Sequence, residues 1–596
     1  MKYMEWTSLP AMFFDSAAQH KDRPFLWAKK AGSYKGRTYG KSAEQVSLLA
    51  RGLEDCGIGF GDRVVLVSEN RPEWVIADFA IMASGGVSVP AYITNTAEDH
   101  LHILTNVTAR AAIVSTARLL PPLLEAAKKS GSVNTVITFE ATDIEAPDGI
   151  TILTLDDVIK RGAKRPDLVA DRVRRIKRGD TACIIHTSGT GGVPKGVTLS
   201  HGSILFNCLG AYDLLLEFGL DHEVFLSFLP LSHSYEHTAG LAFPISIGAE
   251  IYYAEGIEKL ASNMLEARPT IMTAVPRLYE TMRARIMRGL EQGGGAKKAL
   301  FGKTLALGRK KYETPEKFNI LDKLTDRLVD KLVRDKVRGR FGGRLKTLVS
   351  GGGPLNYDVG QFFTSLGLTI LQGYGQTESA PVISCNRPGS LRIETVGPPL
   401  KDVNVRIAGD GEILVQGELV MKGYWNDPES TRAAIDENGW LHTGDVGHID
   451  ANGHIVITDR KKDIIVNSGG DNISPQRIEG ILSLEPEIVQ CMVHGDKRPY
   501  LVALIVPDDD FITGWAADNN RIADLASLAG DADFQKAFSP VLSRVNERLS
   551  SIERVRKVII ADAPFTVDNE QMTPTMKIRR HILKQAYGDR LEGLYS

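Results

Sequence analysis

The chain has 596 residues, 43% hydrophobic and 24% charged, with 71 Lys+Arg against 73 Asp+Glu for a formal charge of −2. That composition describes a folded chain of several domains and excludes a mainly disordered or fibrous one. The near-neutral balance gives no reason to expect a nucleic-acid partner.

Five cysteines, Cys56, Cys183, Cys208, Cys385 and Cys491, stand apart without C-x-x-C spacing. Neither a zinc ribbon nor a disulfide framework is expected, and a reducing cytoplasm is the simplest compartment. The start, MKYMEWTSLPAMFFDSAAQH, lacks the apolar run of a signal peptide. The uncharged stretch Phe79–Thr96 is broken by Gly, Pro, Ser and Thr, unlike a ~20-residue membrane span. Contact at the inner face of a membrane stays open.

In chain order, Val64–Val67, Ala112–Val114, Cys183–Ile185, Phe225–Leu229, Ile271–Val275 and Leu345–Val349 read as strands. The chain between them accommodates crossover helices, which predicts two α/β subdomains with parallel sheets. After about Gly397 the rhythm shortens: Val403–Ile407, Glu412–Gln416, Glu418–Met421 and His454–Ile457 suggest a small β-barrel or antiparallel sheet. The charged run DRKKD, Asp459–Asp463, marks a boundary. It divides a large domain, 1–458, from a smaller α+β domain, 459–596. In the latter, Ile478–Leu484 reads as a helix and Ile488–His494, Tyr500–Val506 and Arg554–Ile560 as strands.

Residues 281–350 carry 19 Lys+Arg against 7 Asp+Glu, a local balance of +12. Within them Leu321, Leu324, Leu328, Leu332 and Val333 recur at helical spacing beside Lys323, Arg327 and Lys331. Two readings follow. One is a solvated helix with Lys323–Asp326 and Arg327–Asp330 pairs. The other is a basic surface facing anionic lipid or an anionic cofactor.

The densest chemical signal is HTSGTGGVPKG, His186–Gly196, directly after the apolar run Ala182–Ile185. A strand ending there would deliver hydroxyls at Thr187, Ser188 and Thr190. Gly189 and Gly191 would let backbone N–H groups approach phosphate oxygens, and Lys195 adds positive charge. A Walker A loop is excluded, because Gly196 and not Ser or Thr follows the lysine.

This loop resembles the signature of the adenylate-forming superfamily, the acyl-CoA synthetases, luciferases and peptide-synthetase adenylation domains. Gly191 departs from the Thr usual in the family. The resemblance continues in family order through LPLSH (Leu229–His233), SGGGPL (Ser350–Leu355), QGYGQTES (Gln372–Ser379), GWLHTGD (Gly439–Asp445), DRKKD and TPTMKIRR (Thr573–Arg580). ENRPEW (Glu69–Trp74), VPRLYE (Val275–Glu280) and the basic insertion resemble the long-chain fatty acid–CoA ligases in particular.

The resemblance implies substrates ATP, a fatty acid and coenzyme A, with Mg²⁺. It implies Lys577 as the catalytic lysine between carboxylate and α-phosphate, and Glu378 with Thr187 as metal ligands. Nucleotide contacts would come from Thr187, Ser188, Gly189, Thr190, Gly191, Lys195, Ser350, Gly351, Gly352, Gln372, Gly373, Tyr374, Gly375 and Thr377. Tyr374 would stack on adenine, and Asp445 would receive the ribose hydroxyls. Arg460 and Lys462 would reach ribose or phosphate, and His233 would border the acyl pocket. Asp459 would be a hinge, and Ser468, Gly469 and Gly470 would form a loop used when the thioester is made. A fatty acyl-AMP ligase serving a carrier protein, a ligase for another carboxylic acid and a lipid-binding pseudoenzyme remain alternatives.

Overall fold

In a computed structural model the described residues are 2–187, 194–291, 294–573 and 576–595. Ser188, Gly189, Thr190 and Gly191 of the glycine-rich loop lie outside them.

Two eight-stranded sheets dominate. The first runs, edge to edge, Val382–Cys385, Ile370–Gly375, Thr347–Ser350, Ile271–Ala274, Val224–Ser227, Glu250–Tyr253, Pro24–Lys30 and Ser33–Thr38. The second runs Gly423–Tyr424, Lys195–Ser200, Thr181–Thr187, Val87–Ala91, Arg63–Val67, Ala111–Val114, Thr135–Thr138 and Thr151–Thr154. Pairing inside both is parallel, and the antiparallel strands sit towards the edges. The central strands are near-continuous apolar runs such as Arg63–Val67, because helices cover both faces. One core cluster, including Trp74, Phe79, Leu205, Phe243 and Leu371, joins the two sheets through the helix His201–Leu215.

The small β unit is an open antiparallel sheet, in the order Asn404–Ile407, Glu412–Gln416, Leu441–Ile449, Ile455–Arg460. Glu418–Met421, expected as a strand, is a turn. Gly417, at φ +150°, breaks the extension, and the Met421 N–H donates to the Glu378 carbonyl at 2.8 Å. The strand begins instead at Gly423 and crosses to pair with Lys195–Ser200.

Beyond Arg460, a three-stranded sheet joins Ile488–His494, Leu501–Pro507 and Val555–Ile560. Alternate residues take opposite faces: Leu501, Ala503 and Ile505 pack into one cluster, Val502, Leu504 and Val506 into another. This unit touches the large one through several contacts. The Arg277 guanidinium donates to the Val489 carbonyl, Asn356 Nδ2 to the Gly480 carbonyl at 2.8 Å, and Arg288 pairs with Asp510 at 3.1 Å.

In the basic segment, a capping box at Asn319 and Asp322 starts the helix Ile320–Val329. The pairs Lys323–Asp326 and Arg327–Asp330 do not form. Asp326 binds Lys311 and Arg334, and Asp330 binds Arg338, because the acids turn inward towards neighbouring helices.

Candidate active site

Asp445 and Arg460 face each other across an antiparallel register pair, on the neighbouring strands Leu441–Ile449 and Ile455–Arg460. Arg460 Nε donates to Asp445 Oδ1 at 2.9 Å, and the Tyr374 hydroxyl donates to Asp445 Oδ2 at 2.7 Å. Asp445 is almost wholly buried. Tyr374 is also buried, and its phenol pKa lies well above the ordinary value, through burial and then the Asp445 charge.

Glu378 sits in a single helical turn, Thr377–Ser379, just past the strand Ile370–Gly375. Its Oε1 accepts from the Tyr424 hydroxyl at 2.9 Å. The Lys195 ammonium lies 5.0 Å from the centre of the same ring and donates to Ser430 Oγ at 2.6 Å. The end of the glycine-rich loop is thereby tied to Glu378 through one aromatic side chain. Thr187 pairs with Lys195 at the mouth of this hairpin.

Lys577 arrives from the small unit. The Thr573 N–H donates to the Lys577 carbonyl at 2.8 Å, and the Lys577 N–H to Thr573 Oγ1 at 3.1 Å. Met572 and Ile578 bridge beneath them. Lys577 is exposed to solvent, yet protein crowds its flanks. Desolvation, and then the Arg460 charge, bring its pKa down from 10.5 to about 8, against the pull of Asp445 and Glu378. His233 is pushed down to about 3 by burial and by Lys577, so the two groups are electrostatic neighbours.

Ser350 ends the strand Thr347–Ser350, and Gly351 and Gly352 follow it. A Cβ on Gly351 would stand 3.0 Å from the Tyr235 ring, so glycine permits the close passage there. Gln372 Nε2 donates to the Gly353 carbonyl at 2.9 Å, and Thr377 Oγ1 meets Ser234 Oγ at 3.0 Å. Gly373 and Gly375 end the next strand; a Cβ on Gly375 would meet the Pro381 carbonyl oxygen at 1.8 Å.

Behind Tyr235 lies a narrow cavity that holds about 40 Å³. Ala211, Phe225, Ala239, Phe243, Thr273 and Val349 are among its walls. Tyr235 separates the Gly351 backbone from this space, with its hydroxyl on the Val349 carbonyl at 2.9 Å. Ala239 belongs to a π-helical segment, Glu236–Ala242. Glu236 is fully buried there and accepts from Thr273 Oγ1 at 2.7 Å.

Two groups of residues stand apart. Lys462 is exposed and lines a polar cavity with Arg580, His581 and Lys584. Ser468, Gly469 and Gly470 form the exposed tip of the hairpin Ile465–Val466 and Asn472–Ile473. Asp459, beside Arg460, is buried; burial raises its carboxyl pKa, while Ser474 and Arg580 oppose the rise. Tyr424, Tyr235 and the cavity walls escaped the sequence reading. Tyr424 comes in by strand pairing with a distant segment, and Tyr235 caps the π-helical segment Glu236–Ala242 just past LPLSH.

The large part of the chain, residues 13–425, matches the model of the AMP-binding enzymes, and residues 462–596 match that of the AMP-binding enzyme C-terminal domain. The long-chain-fatty-acid–CoA ligase FadD15 of Mycobacterium bovis is 32% identical over 99% of this chain and 98% of its own. The peroxisomal long chain acyl-CoA synthetase 6 of Arabidopsis thaliana is 31% identical over 95% of this chain and 82% of its own. In fold, the chain is similar to the A-PCP didomain of the carboxylic acid reductase of Segniliparus rugosus, solved with AMP. The TM-score is 0.79 at 21% identity, covering 99% of this chain and 82% of that one. The architecture is that of an adenylation enzyme, a large domain followed by a smaller one. The chain belongs to the AMP-binding, adenylate-forming enzymes, on their long-chain acyl-CoA ligase branch.

Proposed function

We propose that the protein activates a long-chain fatty acid with ATP to acyl-AMP and transfers the acyl group to coenzyme A, in peripheral contact with an anionic membrane. One observation carries the catalytic reading. Lys577, Asp445, Arg460, Glu378 and His233 gather at one cleft, and an apolar cavity opens behind Tyr235.

In the first half-reaction a carboxylate oxygen attacks the α-phosphorus and pyrophosphate leaves. Both reactants are anions, so the site must offset their repulsion. Lys577, with a pKa of about 8, is mainly protonated at neutral pH and supplies that charge. His233 is neutral. The Tyr235 N–H donates to its Nδ1 at 3.2 Å, which leaves the ring proton on Nε2, free to donate to the substrate carboxylate. Asp445 keeps further acceptor capacity for ribose hydroxyls, held in place by Tyr374 and Arg460. Thr187 and Lys195, together with Ser350–Gly352 and Gln372–Thr377, would supply the phosphate and adenine walls.

Mg²⁺ fits this cleft as a companion of the nucleotide. Among the described residues no three His, Cys, Asp or Glu side chains converge as a cage. Glu378 uses Oε1 for Tyr424, and its second oxygen remains as a donor. One carboxylate plus substrate phosphates is a donor set that Mg²⁺ accepts. Glu378 and Thr187 would hold the ion, which would neutralise phosphate charge.

For the second half-reaction the unit 459–596 turns about Asp459, withdraws Lys577 and brings Ser468–Gly470 to the cleft. The thiol sulfur bonds to the acyl carbon, AMP leaves and the thiol proton passes to solvent. An AMP-release assay with acids from butyrate to arachidate, with and without coenzyme A, tests the reading. Release that requires coenzyme A and favours long acids is expected. Adenylate without thioester would favour a carrier-protein ligase, and no adenylate from any acid would favour a lipid-binding pseudoenzyme.

A further inference from the structure

The helix Ile320–Val329 and the turn after it bury Val329 and Val333 on the inward side, yet carry a second, exposed apolar stripe on the outer side. Ile320 and Leu321 are 76% and 73% exposed, Leu324 and Leu328 58% and 56%, and Leu332 41%. They fall along one stripe covering roughly a third of the helix circumference. The acids lie on the inward side, where Lys310, Lys311, Arg334 and Arg338 pair with Asp322, Asp326 and Asp330. Lys323, Arg327 and Lys331 are exposed along the border of the leucine stripe. Among the described residues none of the three lies within ion-pair distance of a carboxylate.

From this we infer that the leucine stripe inserts at an anionic lipid surface, with Lys323, Arg327 and Lys331 on the headgroups. An amphipathic helix lying in an interface needs this pairing of apolar face and unneutralised basic border. A water-soluble helix needs neither. A second copy of the chain fits worse, since a symmetric contact through the stripe would bring the basic borders of both copies together. The inference specifies the membrane contact in the functional reading above and rests on it: a long-chain acid partitions into lipid, so docking there would bring the cleft to its substrate.

Sedimentation tests it with vesicles of phosphatidylcholine alone and of phosphatidylcholine and phosphatidylglycerol in equal parts. The wild-type chain is expected to bind the anionic vesicles only, and to release several-fold as ionic strength rises past the point where charges are screened. L324Q/L328Q should lower binding roughly tenfold or more. K323E/R327E/K331E should abolish the preference for anionic lipid. Both variants alter exposed side chains, and circular dichroism and pyrophosphate exchange should match wild type. Equal binding to both vesicles, no binding, or binding retained by both variants overturns the inference. Loss of self-association in L324Q/L328Q by ultracentrifugation, without an effect on vesicles, assigns the stripe to a second copy and also overturns it. If vesicles bind as expected but no fatty acid is adenylated, the functional reading fails and the docking surface stands.

Discussion

Tyr424 holds Glu378 by a 2.9 Å hydrogen bond from its hydroxyl, while its ring carries the Lys195 ammonium 5.0 Å from the centroid. Under the proposed reading, one side chain orders both the metal-binding carboxylate and the end of the phosphate loop. Tyr424→Phe keeps the ring and removes the donor. A hydrogen bond to a charged group is worth ~1.5–3 kcal/mol, so KM for MgATP should rise about tenfold or more. Excess Mg²⁺ should recover part of the loss in a titration of pyrophosphate exchange. An unchanged Mg²⁺ requirement would separate Tyr424 from the metal.

Under the proposed reading Lys577 acts in its charged form, so adenylation should weaken as the proton is lost. The pKa of about 8 sets the sign: kcat/KM for ATP should be full near neutrality and fall as pH rises past about 8. Lys577→Arg should flatten this limb. Lys577→Ala should cost ~10²–10³ in pyrophosphate exchange while largely sparing thioester formation from supplied acyl-AMP. Normal exchange in Lys577→Ala would remove the residue from the reaction.

Asp459→Pro tests the pivot. Proline fixes φ near −65° in the edge strand Ile455–Arg460 and should lock one orientation of the small unit. Pyrophosphate exchange and acyl-AMP thiolysis, measured separately, should diverge, one retained and the other lost. Parallel loss of both rates, or of neither, would place the pivot elsewhere.

Glu236 should make the protein less stable as pH rises. Burial lifts its pKa from 4.5 to about 7, against hydrogen bonds from Ser227 and Thr273. Between these values the unfolded chain loses the proton and the folded chain keeps it. Folding stability therefore falls by about 3 kcal/mol across this window and is level above it. Glu236→Gln should abolish the slope and be the more stable protein at pH about 8, where the wild-type penalty is complete. Urea midpoints at acid and alkaline pH measure it; a parallel slope in the variant would assign the pH dependence to another group.

Ala239 faces the cavity behind Tyr235. Ala239→Phe should fill the space a chain would enter and shift preference towards shorter acids. Each methylene denied burial costs ~0.8 kcal/mol, so the longest acids should lose roughly tenfold or more in kcat/KM. An unaltered chain-length profile would show that the acyl chain runs elsewhere.

The legible parts of this protein were those written in short local stretches. Lys577, Glu378, Asp445 and Arg460 each stand in a run of a few residues, and Lys577 feels the charges of the other three. Tyr424 was not legible, because its partner lies 46 residues away and meets it through a two-residue strand. Periodicity revealed the stripe of Leu321, Leu324 and Leu328 but not its direction. Which side of an amphipathic helix faces inward depends on neighbours, here Lys310, Lys311, Arg334 and Arg338, and these also took the acids expected for Lys323 and Arg327.

Asp459 and Arg460 are joined by one peptide bond, and their side chains leave the strand on opposite faces, Arg460 towards Asp445 and Asp459 towards Ser474 and Arg580. Under the proposed reading, the grip on the nucleotide and the axle of the small unit are adjacent residues, so a turn at Asp459 would shift Arg460 against Asp445. A swing of that unit would then tug on whatever occupies the ribose end of the site. Departure of AMP and return of the small unit would then be coupled through the strand end Asp459–Arg460.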